Sequence, residues 1–327
     1  MRFLITGITG FVGPHLANLL IDEGHTVYGL VRGSNGREKD LLDVITSEKL
    51  ESIIWIYGDL LDYCSMTQMF KNYQFDGVFH LAAQSHVMLG FEHPKLTYEN
   101  NVMGSINLLT AIEEYQQNCH VHFCSTSEVY GDVCKGVGIL SEDTKLAPCN
   151  PYGSSKASID FYMQERIQNK KISGFITRAF SHTGPRRGYK FSISSDAFQI
   201  AKMLLGLQKN VLLIGNLDTE RVVMDVRDCV RAYYMLMMKK ASGAYNVCTV
   251  NIHKMRYFTD LLIEVSGLKD IVQEIYPAFY RSIDIQVQRG DITRLRRVID
   301  WEPKISIQQT MSDLLSYWVV KLRKNNG

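Results

Sequence analysis

Residues 1–13 read MRFLITGITGFVG, an apolar run that leads directly into glycines at positions 7, 10 and 13. Helical periodicity follows over residues 14–23, so the pattern is strand, tight turn, helix. In this context Gly7 makes the turn, Gly10 lets a pyrophosphate approach the backbone, and Gly13 permits close packing of the helix. The stretch therefore predicts a dinucleotide-binding turn, the alternative being a merely structural glycine turn.

The alternation of strands and helices continues as far as residue 178. Apolar runs predict strands at 2–6, 26–31, 53–57, 77–81, 121–124 and 174–178, and periodicity predicts helices at 96–115 and 151–167. The second of these helices begins after Asn150 as its N-cap, with Pro151 in the first helical position. Strands that are apolar on both faces are typical of a parallel sheet covered by helices. We therefore expect an α/β fold with a Rossmann-type doubly wound parallel sheet.

Beyond residue 178 the pattern becomes less regular. Glycine-rich and polar stretches at 182–190 and 215–221 separate helices predicted at 194–207 and 228–238. We interpret residues 1–178 as the NADP-binding domain and residues 179–327 as a smaller C-terminal α/β domain that binds the substrate. Segments within residues 228–250 are expected to return to the first sheet.

The composition of the 327 residues is that of an ordinary globular protein, with 46% hydrophobic and 21% charged residues. A formal net charge of +2 gives no overall attraction to nucleic acid or to a membrane. Glycines interrupt the first apolar run at once, so neither a signal peptide nor a membrane span is expected there. The seven cysteines are odd in number and irregularly spaced, which indicates free thiols in a reducing, cytoplasmic compartment.

The segment CHVHFC (119–124) is dense in soft ligands and raises the hypothesis of a metal site. A buried parallel strand is the better interpretation, because its side chains would alternate between two faces. No second ligand pair with a familiar spacing occurs elsewhere in the sequence. We therefore expect no metal.

The choice of cofactor depends on the end of the second strand, where a carboxylate would bind an adenosine ribose hydroxyl. The sequence there is LVRGSN (30–35), with no carboxylate before Glu38. The guanidinium of Arg32 suits a 2′-phosphate, so NADP is favoured and NAD stays possible. The alternative for Arg32 is a solvated surface charge.

A tyrosine and a lysine, Tyr152 and Lys156, lie four residues apart on a predicted helix and so share one face. The ammonium of Lys156 is expected to help lower the pKa of the Tyr152 phenol and so make it a base. Glu128, in the loop that follows the strand at 121–124, supplies a second base. Two bases beside a redox cofactor favour oxidation at one carbon together with removal of a proton from its neighbour.

Together these motifs resemble the extended short-chain dehydrogenase/reductase family, and within it the nucleotide-sugar 4,6-dehydratases, most closely the GDP-mannose 4,6-dehydratases. The resemblance covers nearly the whole chain. It rests on GITGFVG (7–13), GDLLD (58–62), HLAAQSHV (80–87), STSEVYG (125–131), NPYGSSK (150–156), GPRRG (184–188), RSIDIQVQRGD (281–291) and WEP (301–303). Residues 215–236 and 245–249 are equally similar to GDP-4-keto-6-deoxy-mannose reductases.

The resemblance also implies roles for single residues. The implied active-site residues are Thr126, Ser127, Glu128, Tyr152 and Lys156. The cofactor set, to which we add Arg32, is Gly7, Ile8, Thr9, Gly10, Phe11, Val12, Asp59, Leu60, Leu81, Ala82, Ala83, Gln84, Ser85, Tyr152, Lys156, His182 and Arg187. The expected substrate contacts are Ser85, His86, Thr126, Ser181, Lys190, Arg221 and Arg281, the last of which would hold the nucleotide diphosphate.

The resemblance implies that the substrate is a GDP-hexose, either GDP-mannose or GDP-N-acetylglucosamine. C4 is oxidised, Glu128 removes the C5 proton, water leaves from C6, and the hydride returns to C6 to give a 4-keto-6-deoxy sugar. The alternatives are a GDP-4-keto-6-deoxy-mannose reductase, a C4 epimerase or dehydrogenase, and a non-catalytic NADP-binding relative.

Two further expectations concern partners. Nucleic-acid binding is suggested only by the basic segments RR (186–187) and RLRR (294–297), for which a cofactor loop and a solvated helix face are the better interpretations. Relatives pair through the helices at 96–115 and 151–167, so a homodimer or a homotetramer is expected.

Overall fold

The computed structural model describes residues 1–33, 36–133, 136, 138–279 and 285–326. Its main layer is a sheet of seven strands: β1 (Arg2–Thr6), β2 (Thr26–Val31), β3 (Ile54–Tyr57), β4 (Gly77–His80), β5 (His120–Thr126), β6 (Ser173–Ala179) and β10 (Gly243–Val247). Their order is β10-β6-β5-β4-β1-β2-β3. Every pairing in this sheet is parallel. The predicted doubly wound parallel sheet is confirmed.

Helices pack on both faces of this sheet and around a second, smaller core. They are α1 (Val12–Asp22), α2 (Ser47–Glu51), α3 (Tyr63–Asn72), α4 (Val87–Glu92), α5 (Pro94–Tyr98), α6 (Gly104–Tyr115), α7 (Pro151–Gln168), α8 (Ser192–Leu204), α9 (Val226–Met238), α10 (Met255–Ser266), α11 (Thr293–Val298) and α12 (Ile307–Asn326). On one face α1 and α9 form a core that includes Leu16 and Leu236. On the other face α3, α6 and α7 form a core that includes Phe70 and Met163. Among the described helices, none has the length and apolarity needed to cross a membrane.

The predicted helix at 96–115 is a longer, irregular element. It begins at Pro94 and contains one π-helical stretch, Glu99–Met103, between α5 and α6. A π-helical stretch inserts an extra residue into the ladder of hydrogen bonds and often marks a functional site. Here it carries Asn101, whose side chain is buried against the loop that follows β4.

The second half of the chain builds a smaller unit beside the sheet. Strands β7 (Ser181–Thr183), β9 (Glu220–Asp225), β11 (Ile252–Lys254) and β13 (Val287–Gln288) form one sheet, and β8 (Val211–Ile214) pairs with β12 (Val272–Ile275). Helices α8, α10 and α12 pack around a separate apolar core that includes Phe258 and Trp318. The chain returns to the large sheet with β10, which pairs with β6.

The cysteine- and histidine-rich segment forms the buried strand β5. The ring of His122 stacks on Phe175 at 4.8 Å, and its Nε2 lies 2.7 Å from the hydroxyl of Thr177. Cys119 and Phe123 belong to the core on the opposite face. The prediction of a strand is confirmed, and the described residues contain no cluster of three or more groups able to hold a metal ion.

The basic segment 294–297 lies on the short helix α11. Leu295 is fully buried, whereas Arg294 pairs with Asp143 at 2.7 Å and Arg296 pairs with Glu302 at 3.2 Å. The two arginines are thus paired with acidic side chains of the same chain at the surface, as expected for a solvated helix face.

Asp196 is a buried carboxyl group between α8 and α10. Its side chain accepts a hydrogen bond of 2.7 Å from the hydroxyl of Thr259. Burial raises the pKa of Asp196 to about 7, from an ordinary value of 3.8. The folded state therefore keeps a proton that the unfolded chain releases. This contribution to stability is complete below the unfolded pKa and is lost as the pH rises through the folded pKa.

We expect Asp196→Asn to remove this pH dependence. Its stabilising effect should be about 2–3 kcal/mol larger at pH 8 than at pH 5, at about 1.4 kcal/mol per pH unit. Urea unfolding at the two pH values measures the difference. Asp260→Asn, on the exposed side of α10, is the matched control. An equal effect of Asp196→Asn at both pH values would contradict the prediction.

Candidate active site

The glycine turn lies between β1 and α1, at the carboxyl edge of the sheet. Gly7 has a left-handed φ of +73°, and a Cβ on it would come within 2.8 Å of the backbone of Ala82. A Cβ on Gly13 would come within 2.5 Å of the Cα of Ile8. The turn is therefore packed directly against the loop after β4 and against the start of α1.

The turn fits a dinucleotide. Helix α1 begins at Val12 and has no acidic residue in its first turn. No acidic side chain of that first turn would therefore oppose a pyrophosphate bound to its backbone N–H groups. The glycines at positions 7, 10 and 13 place no side chain between the backbone of the turn and a pyrophosphate.

We expect Gly7→Ala to weaken NADP(H) binding by at least about tenfold, which is about 1.4 kcal/mol. The added Cβ must displace Ala82, in addition to the strain of a positive φ. Gly24→Ala is the matched control, because Gly24 has a φ of +75° and a Cβ added to it would meet nothing within 4 Å. Fluorescence titration with NADPH measures both. Equal losses of NADPH affinity in the two variants would mean that the strain of a positive φ causes the loss, and that the clash with Ala82 does not contribute.

The loop after β4, residues 81–85, is held by the π-helical stretch. Asn101 accepts a hydrogen bond from the backbone N–H of Gln84 at 2.7 Å and donates to the carbonyl of Gln84 at 3.0 Å. It also donates to the hydroxyl of Ser155 at 2.9 Å, on the helix that carries Tyr152. One buried amide therefore ties the predicted cofactor loop to the predicted catalytic helix.

Beneath the glycine turn, His80 bridges two hydroxyl groups. Its Nδ1 lies 2.7 Å from Thr6 Oγ1, and its Nε2 lies 2.8 Å from Ser105 Oγ. Burial lowers the pKa of His80 to about 3, so the ring is neutral. Thr6 Oγ1 accepts a further hydrogen bond from the N–H of Ala82 at 3.2 Å. These hydrogen bonds hold Thr6, the last residue of β1 before the glycine turn, against the loop after β4.

The loop after β5 brings Thr126 and Glu128 to the start of α7. The hydroxyl of Thr126 accepts from the N–H of Glu128 at 3.3 Å and caps the 3-10 turn Ser127–Tyr130. Glu128 Oε2 accepts a hydrogen bond of 2.7 Å from the side-chain amide of Asn150. The other end of that amide caps α7 by accepting from the N–H of Gly153 at 2.7 Å. Asn150 thus orients the carboxylate of Glu128 as well as the helix.

Tyr152 and Lys156 lie on α7 next to this carboxylate. Burial raises the pKa of Tyr152 well above its usual value, while a hydrogen bond from Thr126 and the charge of Arg187 act in the opposite direction. Burial also lowers the pKa of Lys156 to about 8, and its ammonium lies 4.2 Å from the centre of the Phe123 ring. The expected lowering of the Tyr152 pKa is therefore not produced by Lys156 within the protein alone, because burial outweighs it.

Ser127 faces a different partner. Its hydroxyl donates to the side-chain oxygen of Gln288 on β13 at 3.3 Å, and Gln288 donates back to the carbonyl of Ser127 at 3.4 Å. This pairing links the catalytic loop to the second half of the chain. These contacts hold the loop in place, and the catalytic role of Ser127 implied by the resemblance stays a prediction.

The loop at 181–191 closes the site from the second half of the chain. His182 stacks on Phe11 at 5.8 Å and is held by the carbonyl of Phe180 at 2.8 Å. The guanidinium of Arg187 lies between the rings of Phe11 and Phe191, at 4.8 and 3.5 Å from their centres. Burial lowers the pKa of Arg187 to about 10, and no carboxylate pairs with it among the described residues. A buried cation of this kind suits an anionic ligand.

The other predicted residues lie around this centre. Arg32 is exposed at the end of β2 and contacts Asn100 at 3.5 Å, and the carbonyl of Leu60 accepts from Asn107 at 2.9 Å. The side-chain oxygen of Asp59 accepts from the N–H of Leu61 at 3.0 Å, which fixes the turn after β3. Ser85 lies exposed in the loop after β4, and Ser181 begins β7.

Two predicted substrate residues lie near the rim. The ring of His86 approaches the carbonyl of Lys190 at 3.3 Å, which joins the loops on either side of the site. Arg221 is farther along β9, where its guanidinium donates to the carbonyl of Ile285 at 2.5 Å. Arg281 lies outside the described residues.

Sequence reasoning misses three contributors: Asn101, the amide contact of Asn150 to Glu128, and Arg186. The sequence identifies Asn150 only as a helix cap, because its contact with Glu128 spans 22 residues and follows no periodic pattern. It shows Arg186 only as one of a basic pair. The donation of 2.7 Å from Arg186 to the carbonyl of Thr9 spans 177 residues. No local signal could have identified that contact.

Comparison with known proteins gives a consistent result. Residues 4–314 match the family model described as GDP-mannose 4,6 dehydratase. A GDP-6-deoxy-D-mannose reductase of Pseudomonas aeruginosa is 31% identical over 99% of each chain. A GDP-mannose 4,6-dehydratase of Yersinia enterocolitica is 27% identical and covers 96% of this chain and 93% of its own.

Solved structures agree with these matches. The NADPH complex of RMD from Pseudomonas aeruginosa superimposes with a TM-score of 0.81 at 29% identity, over 98% of this chain and 99% of that one. UDP-glucose 4-epimerase of Thermotoga maritima gives a TM-score of 0.83 at 25% identity over 100% of both chains. Because the family model matches residues 4–314, nearly the whole chain, this chain belongs to the GDP-mannose 4,6-dehydratase family.

Proposed function

We propose that this protein is an NADP-dependent nucleotide-sugar 4,6-dehydratase that acts on a GDP-hexose, either GDP-mannose or GDP-N-acetylglucosamine. The observation that carries the proposal is the carboxylate of Glu128, which Asn150 holds at 2.7 Å beside the Thr126–Tyr152 hydroxyl pair. A reductase or an epimerase needs the tyrosine alone, whereas dehydration also needs a base for the C5 proton.

The cofactor would lie across the carboxyl edge of the large sheet. The glycine turn would hold the pyrophosphate, Arg32 would hold the adenosine 2′-phosphate, and residues 81–85 would line the nicotinamide side. When bound, NADP supplies the hydride acceptor and donor of the reaction. The dinucleotide would therefore lie mainly on residues 1–178, with His182 and Arg187 as its contacts from the second half. The nucleotide sugar would lie mainly on the second half, with Ser181, Lys190, Arg221 and Arg281 as its proposed contacts.

The residues of the chain move the protons. Tyr152 accepts the proton of the C4 hydroxyl, and Thr126 donates a hydrogen bond that orients the C4 oxygen. Lys156, buried one helical turn after the tyrosine, would stabilise its phenolate together with the positive charge of the oxidised nicotinamide ring. The C4 ketone makes the C5 proton acidic, so Glu128 removes that proton and passes it to the departing C6 hydroxyl, which leaves as water. The hydride taken from C4 would return to C6, a solvent proton would be added at C5, and Tyr152 would release the C4 hydroxyl proton to solvent, which completes the 4-keto-6-deoxy sugar.

The second candidate function is a GDP-4-keto-6-deoxy-mannose reductase. The observation that favours it is the 31% identity to the Pseudomonas aeruginosa GDP-6-deoxy-D-mannose reductase over 99% of both chains. In that case Glu128 would be a bystander held by Asn150, and the enzyme would return the C4 ketone to an alcohol without removing water. The two candidates consume different substrates and are therefore separable in one assay.

A panel of sugar nucleotides tests the proposal. The purified protein is incubated with NADP and, separately, with GDP-mannose, GDP-N-acetylglucosamine, and dTDP-, UDP- and CDP-hexoses. Mass spectrometry is expected to find the loss of one water from a GDP-hexose. Reduction of a 4-keto-6-deoxy GDP-sugar by NADPH, without any dehydration, would establish the reductase instead. Parallel reactions with NAD report the preference for the 2′-phosphate.

The assembly is proposed to be a homodimer or a homotetramer built on α6 and α7. Met103 and Phe161 are half exposed on this side of the molecule, at 50% and 57%. Phe161→Glu is expected to yield monomers in analytical ultracentrifugation, whereas Val320→Glu, a control at 52% exposure on α12, is not. An unchanged sedimentation coefficient for Phe161→Glu would exclude this interface.

The free cysteines of the described chain suit a cytoplasmic location.

A further inference from the structure

The two arginines of the 184–188 loop serve different parts of the site. Arg187 lies between aromatic rings, whereas Arg186 folds back onto the glycine turn. Arg186 has a left-handed φ of 74°, which is uncommon for a residue with a side chain. Its Nη2 donates to the carbonyl of Thr9 at 2.7 Å, and its Nε donates to the carbonyl of Gly10 at 3.1 Å. Both acceptors belong to the turn itself.

These two hydrogen bonds determine where the backbone N–H groups of the turn point. In a trans peptide the C=O and N–H groups point in opposite directions. Holding the carbonyl of Gly10 therefore directs the N–H of Phe11 away from Arg186. That N–H comes immediately before α1, where backbone donors bind phosphate. Gly10 has no side chain to restrict its dihedral angles, so this peptide depends on an external contact for its orientation.

Arg186 is itself held by the segment that follows β2 and by the C-terminal helix. Its Nη1 donates to the carbonyl of Asp40, and its guanidinium pairs with Asp43 at 3.6 Å. Asp43 in turn pairs with Lys321 of α12 at 2.7 Å. The side chains of Arg186 and Asp43 are only 9% and 12% exposed, so solvent competes weakly for this ion pair. The glycine turn is thus connected, through one guanidinium, to two elements remote in sequence.

We propose that Arg186 is a positioning residue for dinucleotide binding: it fixes the Gly10–Phe11 peptide so that the Phe11 N–H meets the cofactor pyrophosphate, and Asp43 fixes Arg186. The inference rests on the proposed function only in taking this turn as the site of NADP(H). Arg186 belongs to the second half of the chain and lies outside the glycine motif at 7–13. The second half would therefore contribute to cofactor affinity through a residue that this motif does not include.

The test compares ligands with and without a pyrophosphate. NADPH and 2′-AMP are titrated against the full-length protein and against Arg186→Gln, Arg186→Lys and the control Arg231→Gln. Arg231 lies outside the glycine turn. Its guanidinium likewise donates to a carboxylate, that of Asp228 at 2.6 Å, and to a backbone carbonyl, that of Glu302. Arg186→Gln is expected to weaken NADPH about tenfold to a hundredfold, because two charge-assisted hydrogen bonds are lost. Binding of 2′-AMP, which has no pyrophosphate, should change less than about twofold.

Arg186→Lys keeps the charge but cannot hold both carbonyls, so it should rescue only part of the affinity. Asp43→Asn should weaken NADPH less than Arg186→Gln, and the double variant should equal Arg186→Gln alone, since both residues act through one contact. In turnover, the KM for NADP should rise while kcat stays within about twofold of wild type.

The possible failures are distinguishable. Equal weakening of NADPH and 2′-AMP, or additive effects of Asp43→Asn and Arg186→Gln, would overturn the positioning role. The positioning role would also be overturned if Arg186→Gln bound NADPH as tightly as the wild type and Arg231→Gln do. Failure of the wild-type protein to bind NADPH at all would instead overturn the proposed function, and the inference with it.

Discussion

Glu128→Gln is expected to lower the formation of a 4-keto-6-deoxy product by about 10²- to 10⁴-fold, the range for loss of a general base. Glutamine keeps the shape of the side chain, and its carbonyl oxygen can still accept the hydrogen bond from Asn150. The geometry is therefore retained while the proton acceptor is lost. Because Tyr152 and Lys156 are untouched, oxidation at C4 should continue.

The measurement follows two products at once. Mass spectrometry of the GDP-hexose identified in the substrate panel reports the loss of water, and absorbance reports reduced nicotinamide. In deuterated water the wild-type product should carry solvent deuterium at C5, and Glu128→Gln should not incorporate it. Product formation by Glu128→Gln at the wild-type rate would remove Glu128 from its assigned role.

Asn150→Ser separates the two tasks of Asn150. Serine is also a good N-cap, so the start of α7 should keep its stability. The donor to Glu128 at 2.7 Å disappears, however, and the carboxylate loses its orientation. We expect dehydration to fall about tenfold with the melting temperature nearly unchanged. A large loss of stability with normal turnover would mean that Asn150 serves only the helix.

Asp160→Ala is expected to destabilise the protein by about 3–5 kcal/mol, the cost of leaving one partner of a buried ion pair alone. Asp160 is fully buried on α7 and accepts from Arg178 at 3.0 and 2.9 Å. It also accepts from Ser125 at 2.7 Å. Arg178, on β6, is 2% exposed, so water cannot replace the lost carboxylate.

Denaturant unfolding of Asp160→Ala checks this value. Glu165→Ala is the matched control, because Glu165 lies on the same helix and pairs with Arg166 at the surface. An exposed pair of this kind contributes little, since water solvates the remaining charge. Replacing both partners, Asp160→Leu with Arg178→Met, should recover part of the loss. A loss for Asp160→Ala no larger than that for Glu165→Ala would contradict the buried-pair account.

The same ion pair connects α7, the helix that carries Tyr152 and Lys156, to β5 and β6. Ser125 lies one residue before Thr126 on β5, and Asp160 lies one helical turn after Lys156 on α7. The carboxylate of Asp160 binds both Ser125 and the Arg178 side chain of β6. Thr126 and Lys156, both predicted catalytic residues, are therefore fixed relative to each other by a buried polar contact in addition to apolar packing.

The sequence by itself determined the parts of this protein that depend on neighbouring residues. Apolar runs predicted the first six strands of the large sheet, because a strand covered on both faces is apolar along most of its length. The spacing of three glycines predicted the turn, and Asn150 with Pro151 predicted the start of α7. Each of these signals lies within a few residues and follows from backbone geometry.

Only the tertiary structure decided how the site is held together and how its groups titrate. Burial raises the pKa of Tyr152, a direction that the Tyr-Lys spacing did not indicate. The contacts of Asn101 with Gln84, of Ser127 with Gln288 and of Arg186 with Thr9 join residues between 17 and 177 positions apart. No local pattern encodes such pairs. They arise because the parallel sheet brings the carboxyl ends of distant strands to one edge, where polar groups removed from water must find each other.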